Sequence, residues 1–269
     1  GGTMKILISG SRGFIGKHLV KTLEQLGHTV VPIYNEKLSE RDYLANLMKE
    51  TRPDYIIHLA AYGNMADQLD MDKMYEANIV KTFNFLVVSQ SFDYKAFVNF
   101  STSSVLLPTQ TFYSRTKRAG ELLIEYFPNT VSVRPSTVIG VGEQSEHLIP
   151  KLIRSCLYQE EMPFVGEPTH DFISVNDLIN GVLKIVDNMG LSEKQMNIST
   201  GKILSNQQIL EIVEKLTGKK ANIKYVENLR SYDTPEWKVD NTDILNLGWK
   251  PQESIEQTIA SMIKAELWN

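Results

Sequence analysis

The feature that most constrains the fold is a short apolar run followed at once by evenly spaced glycines. Residues 5–9 read KILIS, and residues 10–16 read GSRGFIG, with Gly10, Gly13 and Gly16 at three-residue spacing. A continuous apolar run of this length is typical of a strand that is buried on both faces. Apolar residues then recur at helical spacing. The sequence therefore predicts a strand, a tight glycine turn and a helix.

Strands and helices alternate through the first half of the chain. After the first helix, the pattern predicts strands at 28–33, 54–61, 95–101 and 130–135, and helices at 40–50, 71–91 and 113–127. This alternation requires right-handed crossovers between parallel strands. The predicted fold class is α/β, a doubly wound parallel sheet of the Rossmann type.

The glycine turn has the spacing of a phosphate-binding loop. Glycines at these positions permit a tight turn, let backbone N–H groups approach a pyrophosphate and let the helix pack closely on the strand. The strand before the turn and the helix after it supply the context that the motif needs. We therefore predict a dinucleotide site that involves Ser11, Arg12, Phe14 and Ile15 as well as the three glycines.

The residues after the second predicted strand favour NADP(H) over NAD(H). NAD sites usually place Asp or Glu there to bind the ribose 2′-hydroxyl, but this chain has Tyr34 and Asn35. Arg12 lies inside the glycine loop, where a guanidinium can pair with a 2′-phosphate, and Lys37 can assist. NADP(H) is the predicted cofactor, with NAD(H) as the alternative.

Residues 101–117, STSSVLLPTQTFYSRTK, contain a candidate proton-transfer site. Thr102 follows the fourth predicted strand, at the carboxyl edge where doubly wound sheets bind ligands. Tyr113 and Lys117 are four residues apart and project from one face of the predicted helix. We expect the ammonium to lower the phenol pKa toward neutrality, so that Tyr113 exchanges a proton with an alcohol or carbonyl oxygen. Thr102 would orient that oxygen, and Ser103 and Ser104 are further candidates for binding substrate.

After about residue 140 the alternation becomes less regular. We predict helices at 147–158, 205–217 and 253–267, strands near Phe164 and at 195–199 and 222–227, and a strand running into a helix that Asn176 or Asp177 caps. Residues 4–145 are thus the predicted dinucleotide-binding core. Residues 146–269 are predicted to form mainly a substrate-binding lobe, with about 170–200 returning to the core.

Composition narrows the range of partners. The net charge is −4 with no long basic run, which argues against nucleic acid and anionic membranes. Cys156 is the only cysteine, so a disulfide within the chain and a cysteine-based metal site are both excluded. No apolar run approaches the ~20 residues that span a bilayer, and no signal-peptide pattern leads the chain. We expect a cytoplasmic protein that binds no metal, membrane or nucleic acid.

Taken in order, these motifs resemble an extended short-chain dehydrogenase/reductase. The glycine loop, HLAA at 58–61, Asn78, Thr102 and the Tyr113/Lys117 pair carry the resemblance. It continues through VRPSTVIGVG, DFISVNDL and VDNTDILNLGWKP, which resemble the NAD-dependent epimerase/dehydratase branch. That branch acts mainly on nucleotide-activated sugars. The chain is most similar to its GDP-fucose synthases and dTDP-4-keto-rhamnose reductases, which reduce a 4-keto sugar with NADPH.

The resemblance implies further roles for individual residues. Around the cofactor it implies that Asp42 and Tyr43 flank the adenine, that Leu59, Ala60, Ala61 and Asn78 line the cleft, that Lys117 binds the nicotinamide ribose, and that Pro135 and Val138 border the carboxamide. It places Thr137 and His170 against the substrate, where relatives often have Asn and Arg. Relatives also have a longer loop before the tyrosine, whereas ten residues separate Thr102 from Tyr113 here. Extended members usually form homodimers through the helices predicted at 71–91 and 113–127.

The sequence therefore predicts an NAD(P)-dependent enzyme that reduces a keto group of a nucleotide-activated 4-keto-6-deoxy sugar. A sugar-nucleotide 4-epimerase that retains its NAD is the first alternative. Dehydration is disfavoured because Ser103 and Ser104 supply no carboxylate. A redox regulator that binds NAD(P) without turnover is the second alternative, although a regulator has no need of the Tyr113/Lys117 pair.

Overall fold

A computed structural model describes residues 2–227 and 237–269. Residues 228–236 fall in the second of the two predicted regions and lie outside the described residues. The elements of the first half are β1 (Lys5–Ser9), α1 (Phe14–Gln25), β2 (Thr29–Ile33), α2 (Arg41–Thr51), β3 (Tyr55–His58), α3 (Met71–Tyr75), α4 (Lys81–Ser89), β4 (Ala96–Phe100), α5 (Phe112–Glu125), β5 (Thr130–Pro135) and β6 (Thr137–Ile139). Those of the second half are α6 (Leu148–Tyr158), β7 (Met162–Phe164), β8 (Thr169–His170), β9 (Phe172–Ser174), α7 (Val175–Val186), β10 (Gln195–Ile198), β11 (Leu204–Ser205), α8 (Asn206–Thr217), β12 (Ile223–Tyr225), α9 (Thr242–Asn246) and α10 (Ile255–Trp268).

A parallel sheet organises the described part of the chain and confirms the predicted fold class. Its six strands run in the order β10-β5-β4-β3-β1-β2, all parallel. The chain leaves β1 for β2 on one side and then crosses to β3 on the other. This reversal opens a crevice above the carboxyl ends of β1 and β3, where doubly wound folds bind ligands.

Apolar layers cover both faces of this sheet. On one face, α1 and α7 pack against the strands, with Leu19 and Val182 fully buried. On the other, α2, α4 and α5 cover it, with Leu44 and Phe85 fully buried. Strands that are covered on both faces carry near-continuous apolar runs, which is why KILIS predicts β1 so well.

A separate apolar cluster lies in the second half of the chain. It draws on α6, α8 and α10, together with β7 and β9. By contrast, β10 pairs with β5 in the large sheet, and α7 packs against the core of that sheet. The division of the chain near residue 145 stays a prediction.

Three local predictions are wrong at element ends. The third strand ends at His58 instead of Ala61, because Leu59 and Ala60 turn their N–H groups to the Ser9 hydroxyl. The helix predicted at 71–91 is interrupted by a π-helical turn at Glu76–Val80 between α3 and α4. The cap of α7 is Ser174, whose hydroxyl accepts from the Asp177 N–H, and neither Asn176 nor Asp177 serves as that cap.

Two 3-10 turns and the helix α9 were not predicted. The turns span Asn35–Ser39 and Ser103–Leu106, directly after the carboxyl ends of β2 and β4. Both therefore lie beside the crevice. Short turns of this kind leave no periodic apolar pattern in the sequence.

Candidate active site

The glycine loop packs its backbone tightly against the segment after β3. Gly10 has φ +77°, and a Cβ there would lie 2.8 Å from the Ala60 nitrogen and from the Leu59 Cβ. A Cβ on Gly16 would overlap the Gly10 carbonyl oxygen. These two glycines are thus required by the fold itself.

Gly13 differs, because the fold leaves room for a side chain there. A Cβ on Gly13 would make only an ordinary contact, 3.5 Å from the Gly10 oxygen. Gly13 is the N-cap of α1, and no side chain caps this end of the helix. The unpartnered N–H groups of a helix N-terminus attract an anion. The predicted loop residues Ser11, Phe14 and Ile15 surround this end, so the arrangement fits the pyrophosphate of a dinucleotide.

Arg12 is held on an aromatic ring beside this loop. Its guanidinium lies 3.8 Å from the centre of the Tyr34 ring, which follows β2. Lys37 lies 5.0 Å from the centre of the Tyr43 ring and pairs with Glu40 at 3.3 Å. Arg12 and Tyr34 therefore come together beside the end of β2, where the adenosine ribose is expected.

A cleft opens above the end of β3. It has a volume of about 360 Å³ and is lined by Asn35, Leu38, Ala60, Ala61, Tyr62, Gln68, Lys73, Glu76, Ala77 and Lys81. Asn35, Ala60 and Ala61 are thus brought together as predicted. Leu59 packs against the sheet core beside them. Asp42 and Tyr43 do not line this cleft and lie instead in a separate hollow formed by residues 39–43.

Asn78 lies behind the cleft and ties three segments together. It belongs to the π-helical turn, is almost fully buried and exchanges two hydrogen bonds with the Tyr62 backbone, of 3.0 and 2.8 Å. Its amide also donates to the Thr116 hydroxyl at 3.0 Å, which in turn donates to the Tyr113 carbonyl oxygen at 2.7 Å. Asn78 therefore fixes the cleft loop relative to α5.

A chain of hydroxyls connects the end of β4 to the start of α5. Thr102 donates to Ser104 at 3.1 Å, and Ser104 lies 2.6 Å from the Ser114 hydroxyl. Thr111 donates to the same Ser114 oxygen at 3.1 Å and caps α5. Ser103 is buried beside them. The hydroxyl chain positions Thr102 relative to the helix that carries Tyr113.

Tyr113 lies in the first turn of α5, half-buried, with its ring against Gly63. A Cβ on Gly63 would lie 3.0 Å from the Tyr113 Cδ2. Burial raises the pKa of the Tyr113 phenol above its ordinary value. The expectation that Lys117 lowers this pKa is therefore wrong, because desolvation of the phenolate is the dominant effect. The phenol stays protonated at neutral pH.

Lys117 is buried one turn further along α5. Burial lowers the pKa of its ammonium to about 8, and the carboxylate of Glu121 acts in the opposite direction. Glu121 is itself fully buried and binds Arg134 on β5 through two hydrogen bonds of 2.6 and 2.9 Å. This ion pair fixes the helix on the sheet and keeps a negative charge near Lys117.

The remaining predicted residues lie at the carboxyl end of β5 and beyond. Pro135 ends β5 and is buried, and Val138 packs against the core of the large sheet. Thr137 starts β6, and its N–H donates to the Asp171 carbonyl oxygen at 2.9 Å. The ring of His170 lies 5.4 Å from that of Trp237, centre to centre.

Residues 6–199 match the model of a family described as the NAD dependent epimerase/dehydratase family. The chain belongs to this family. The match spans the large sheet except for Lys5, and it includes most of the residues described above.

Known proteins resemble the chain over nearly its whole length. It is 27% identical to a GDP-6-deoxy-D-talose 4-dehydrogenase from Aggregatibacter actinomycetemcomitans, covering 91% of each chain. The UDP-N-acetylglucosamine 4-epimerase of Methanobrevibacter ruminantium M1, in complex with UDP-N-acetylmuramic acid, has a TM-score of 0.90 at 21% identity, covering 100% of this chain and 99% of that one. The Bordetella bronchiseptica enzyme WbmG, in complex with NAD and UDP, has a TM-score of 0.88 at 20% identity, covering 100% and 95%.

This family member also contains site residues that sequence reasoning missed. The Gln110 amide donates to the carbonyl oxygens of Ser104, Val105 and Leu107, at 3.1, 3.2 and 2.5 Å, and so closes the short loop before Tyr113. Asp171, buried beside the predicted His170, accepts three hydrogen bonds from Thr200 and Gly201. No sequence pattern points to Gln110, whereas Asp171 could have been found because it lies in the DFISVNDL motif.

Within residues 2–227 and 237–269, no helix is long and apolar enough to cross a membrane. Over the same described residues, no group of three or more His, Cys, Asp or Glu side chains could hold a metal ion.

Proposed function

We propose that this protein is an NADP(H)-dependent reductase of a keto group on a nucleotide-activated 4-keto-6-deoxy sugar. The observation that carries the proposal is the position of Tyr113 on the helix that the Thr102 hydroxyl chain anchors to the end of β4, where burial raises the phenol pKa. Reduction of a carbonyl requires a proton donor at the oxygen. When a dinucleotide is bound with its pyrophosphate at the glycine loop, its nicotinamide would supply the hydride.

Each of the proposed site residues has a separate role. Tyr113 gives its phenolic proton to the oxygen of the keto group. Thr102 binds the same oxygen and orients it. Lys117 binds the nicotinamide ribose. Ser103, Ser104, Thr137 and His170 are proposed to contact the sugar nucleotide.

NADP(H) is the proposed cofactor because Arg12 is exposed and stacked on Tyr34, and because the end of β2 has Tyr34 and Asn35 where NAD sites usually have an acid. A stacked guanidinium keeps its donors available for a phosphate. The ratio of Kd for NADH to Kd for NADPH should exceed one in the native protein and fall about tenfold in Arg12→Ala. Lys21→Ala, an exposed change on α1, should leave it unaltered. Tighter binding of NADH, unchanged by Arg12→Ala, would contradict the preference.

A 4-epimerase that retains NAD is the second candidate function. It is favoured by the family match and by the structural similarity to WbmG, whose structure contains NAD. The relative named as a 4-dehydrogenase of a 6-deoxy sugar nucleotide favours the reductase. A regulator without turnover is the third candidate and is least favoured, because it leaves the Tyr113 and Lys117 arrangement without a use.

One experiment separates these candidates. The full chain is mixed with NADPH or NADH and with GDP-, dTDP-, CDP- or UDP-linked 4-keto-6-deoxy sugars, while the absorbance of the reduced nicotinamide is followed. Stoichiometric loss of NADPH with one of these sugars is the expected result. In a second assay, with 4-hydroxy sugar nucleotides and no added cofactor, interconversion of C4 epimers would establish the epimerase. Tight cofactor binding without turnover on either assay would favour the regulator.

The partner and the compartment remain proposals. We propose a homodimer through α3, α4 and α5, because the first and last of these helices expose Met71, Tyr75, Leu122 and Tyr126. Apolar surface of this kind is typical of protein interfaces. The cytoplasm is the proposed location, since Cys156 is the sole cysteine.

A further inference from the structure

A buried chain of three polar side chains runs beneath the cofactor cleft. The Ser9 hydroxyl, at the end of β1, lies 2.6 Å from Nδ1 of His58, at the end of β3. Nε2 of His58 lies 2.8 Å from the Thr82 hydroxyl on α4. All three residues are at most 2% exposed. These hydrogen bonds therefore link two neighbouring strands of the sheet to a helix that packs on them.

The hydrogen bonds of Ser9 determine which nitrogen of His58 carries the proton. The Ser9 Oγ accepts from the Ala60 N–H at 3.2 Å and from the Leu59 N–H at 3.1 Å, the latter shared with the Ser9 carbonyl oxygen. A hydroxyl accepts two bonds and donates one. Among the described residues, His58 is the acceptor left for the Ser9 proton. Nδ1 is therefore unprotonated, and the proton of the neutral imidazole lies on Nε2 and points to Thr82.

The surroundings also keep this imidazole neutral. Burial, with a smaller contribution from the positive charge of Lys117, lowers the pKa of His58 to about 3. A second proton on Nδ1 would face a Ser9 oxygen whose lone pairs are already used. Both effects act against a charged His58.

One of the two N–H groups that Ser9 holds belongs to a residue in the wall of the cleft, and the other belongs to the residue before it. Ala60 lines the cleft, and Leu59 precedes it. The glycine loop packs on the same segment, since a Cβ on Gly10 would touch both residues. The orientation of the Ser9 hydroxyl therefore affects both the position of the cleft wall and the packing of the glycine loop against it.

We propose that His58 is a positioning residue for the dinucleotide: as a neutral imidazole protonated at Nε2, it orients the Ser9 hydroxyl, which holds Ala60 in the wall of the cleft and Leu59 next to it. This inference rests on the cofactor part of the proposed function and is independent of the sugar substrate.

The protonation state is tested directly by ¹⁵N NMR of the imidazole nitrogens in the native full chain. The signal of His58 is assigned by its loss in His58→Asn. We expect a proton on Nε2, none on Nδ1, and no titration between about pH 5 and about pH 9. A proton on Nδ1, or titration within that range, would overturn the proposal.

The positioning role is tested by cofactor binding in matched variants. His58→Asn keeps an acceptor close to the position of Nδ1, whereas His58→Leu removes it. We expect the Kd for NADPH to rise about tenfold in His58→Leu and in Ser9→Ala, and to stay within about threefold of the native value in His58→Asn. His28→Leu removes a histidine that accepts from the Met4 N–H at 3.1 Å, and should leave the Kd unchanged.

A purely structural role would lower Tm in both His58 variants and leave the Kd of folded protein unaltered, which would contradict the proposal. So would equal losses of affinity in His58→Asn and His58→Leu. Failure of the chain to reduce any sugar would refute the proposed substrate but leave these NMR and binding results in force.

Discussion

Lys117 shows how burial alone changes the behaviour of a single side chain. Its pKa falls to about 8 in the folded protein, whereas an unfolded lysine has a pKa near 10.4. Between these two pH values the unfolded chain binds more protons than the folded one. The free energy of unfolding therefore rises with pH across this range, because the cost of burying the charge disappears as Lys117 loses its proton.

This rise of the free energy of unfolding with pH gives a prediction for Lys117→Met. The variant should be more stable than the native protein at pH 7, and the advantage should shrink as pH rises from about 8 to about 10. Glu121 keeps Arg134 as a partner, so no carboxylate is left unpaired. Urea unfolding at several pH values measures the difference, with the exposed change Lys49→Met as control. A stability difference that does not vary with pH would contradict the buried charge.

The glycine loop divides its three glycines between folding and binding. Gly16→Ala should prevent native folding or lower Tm severely, because its Cβ would overlap the Gly10 oxygen. Gly13→Ala should keep Tm within about 4 °C of the native value while raising the Kd for the dinucleotide at least tenfold. Thermal unfolding and cofactor titration measure both quantities. Equal losses of stability in the two variants would refute the division.

The short loop between β4 and α5 is held together by the side-chain amide of Gln110. Gln110→Glu has nearly the same shape but presents no N–H donors to the carbonyl oxygens of Ser104, Val105 and Leu107. We expect kcat/KM for the sugar to fall about tenfold and the Kd for the dinucleotide to stay unchanged, since Gln110 does not line the cleft. Steady-state kinetics and cofactor titration test this, with the exposed Thr109→Val in the same loop as control. An unaltered kcat/KM would contradict the role of Gln110.

At the scale of elements, local pattern predicts the sheet well and its ends poorly. The fifth strand is predicted at 130–135 and found at Thr130–Pro135, because β-branched residues such as Thr130, Val131 and Val133 favour a strand. The π-helical turn at Glu76–Val80 left no such signal, since its reason is the contact of Asn78 with Tyr62 and Thr116. Contacts between distant segments decide where these elements end.

The same limit applies to the candidate site. The glycine spacing and the Tyr113–Lys117 spacing are local, and the sequence therefore shows them. The effect of burial on the Tyr113 pKa, and the bond of Ser9 to His58, depend on segments that only the fold brings together. Asp42 and Tyr43 were placed at the adenine by resemblance, and the structure puts them outside the cleft.

At the scale of the whole molecule, a buried carboxylate connects a helix that packs on the large sheet to the segment that leads into the C-terminal helix. Asp177, on α7, accepts from the Gln252 and Glu253 N–H groups at 2.9 and 3.1 Å, just before α10. Its carbonyl oxygen also accepts from the Trp249 indole at 3.1 Å. The DFISVNDL and LGWKP motifs are therefore parts of one contact. This contact joins the large sheet to the second apolar cluster.

The proposed homodimer is a prediction at the same scale. Leu122 is 50% exposed and Tyr126 is 84% exposed, at four-residue spacing along the end of α5. Leu122→Glu with Tyr126→Lys should convert a dimer into a monomer, because charges would be buried in the interface. Light scattering after gel filtration measures the mass. Leu191→Glu, at a site that is 77% exposed elsewhere, should leave the mass unchanged. A native monomer would refute the dimer.

The central claim is that Tyr113 gives the proton to a substrate oxygen, and Tyr113→Phe tests it most directly. The Phe variant keeps the ring that packs on Gly63 and loses the hydroxyl alone. Turnover of the accepted 4-keto sugar with NADPH is measured at saturating concentrations, beside the Kd for NADPH. We predict a kcat lower by about 10²- to 10⁴-fold with an unchanged Kd. Turnover at the native rate in Tyr113→Phe would contradict the account.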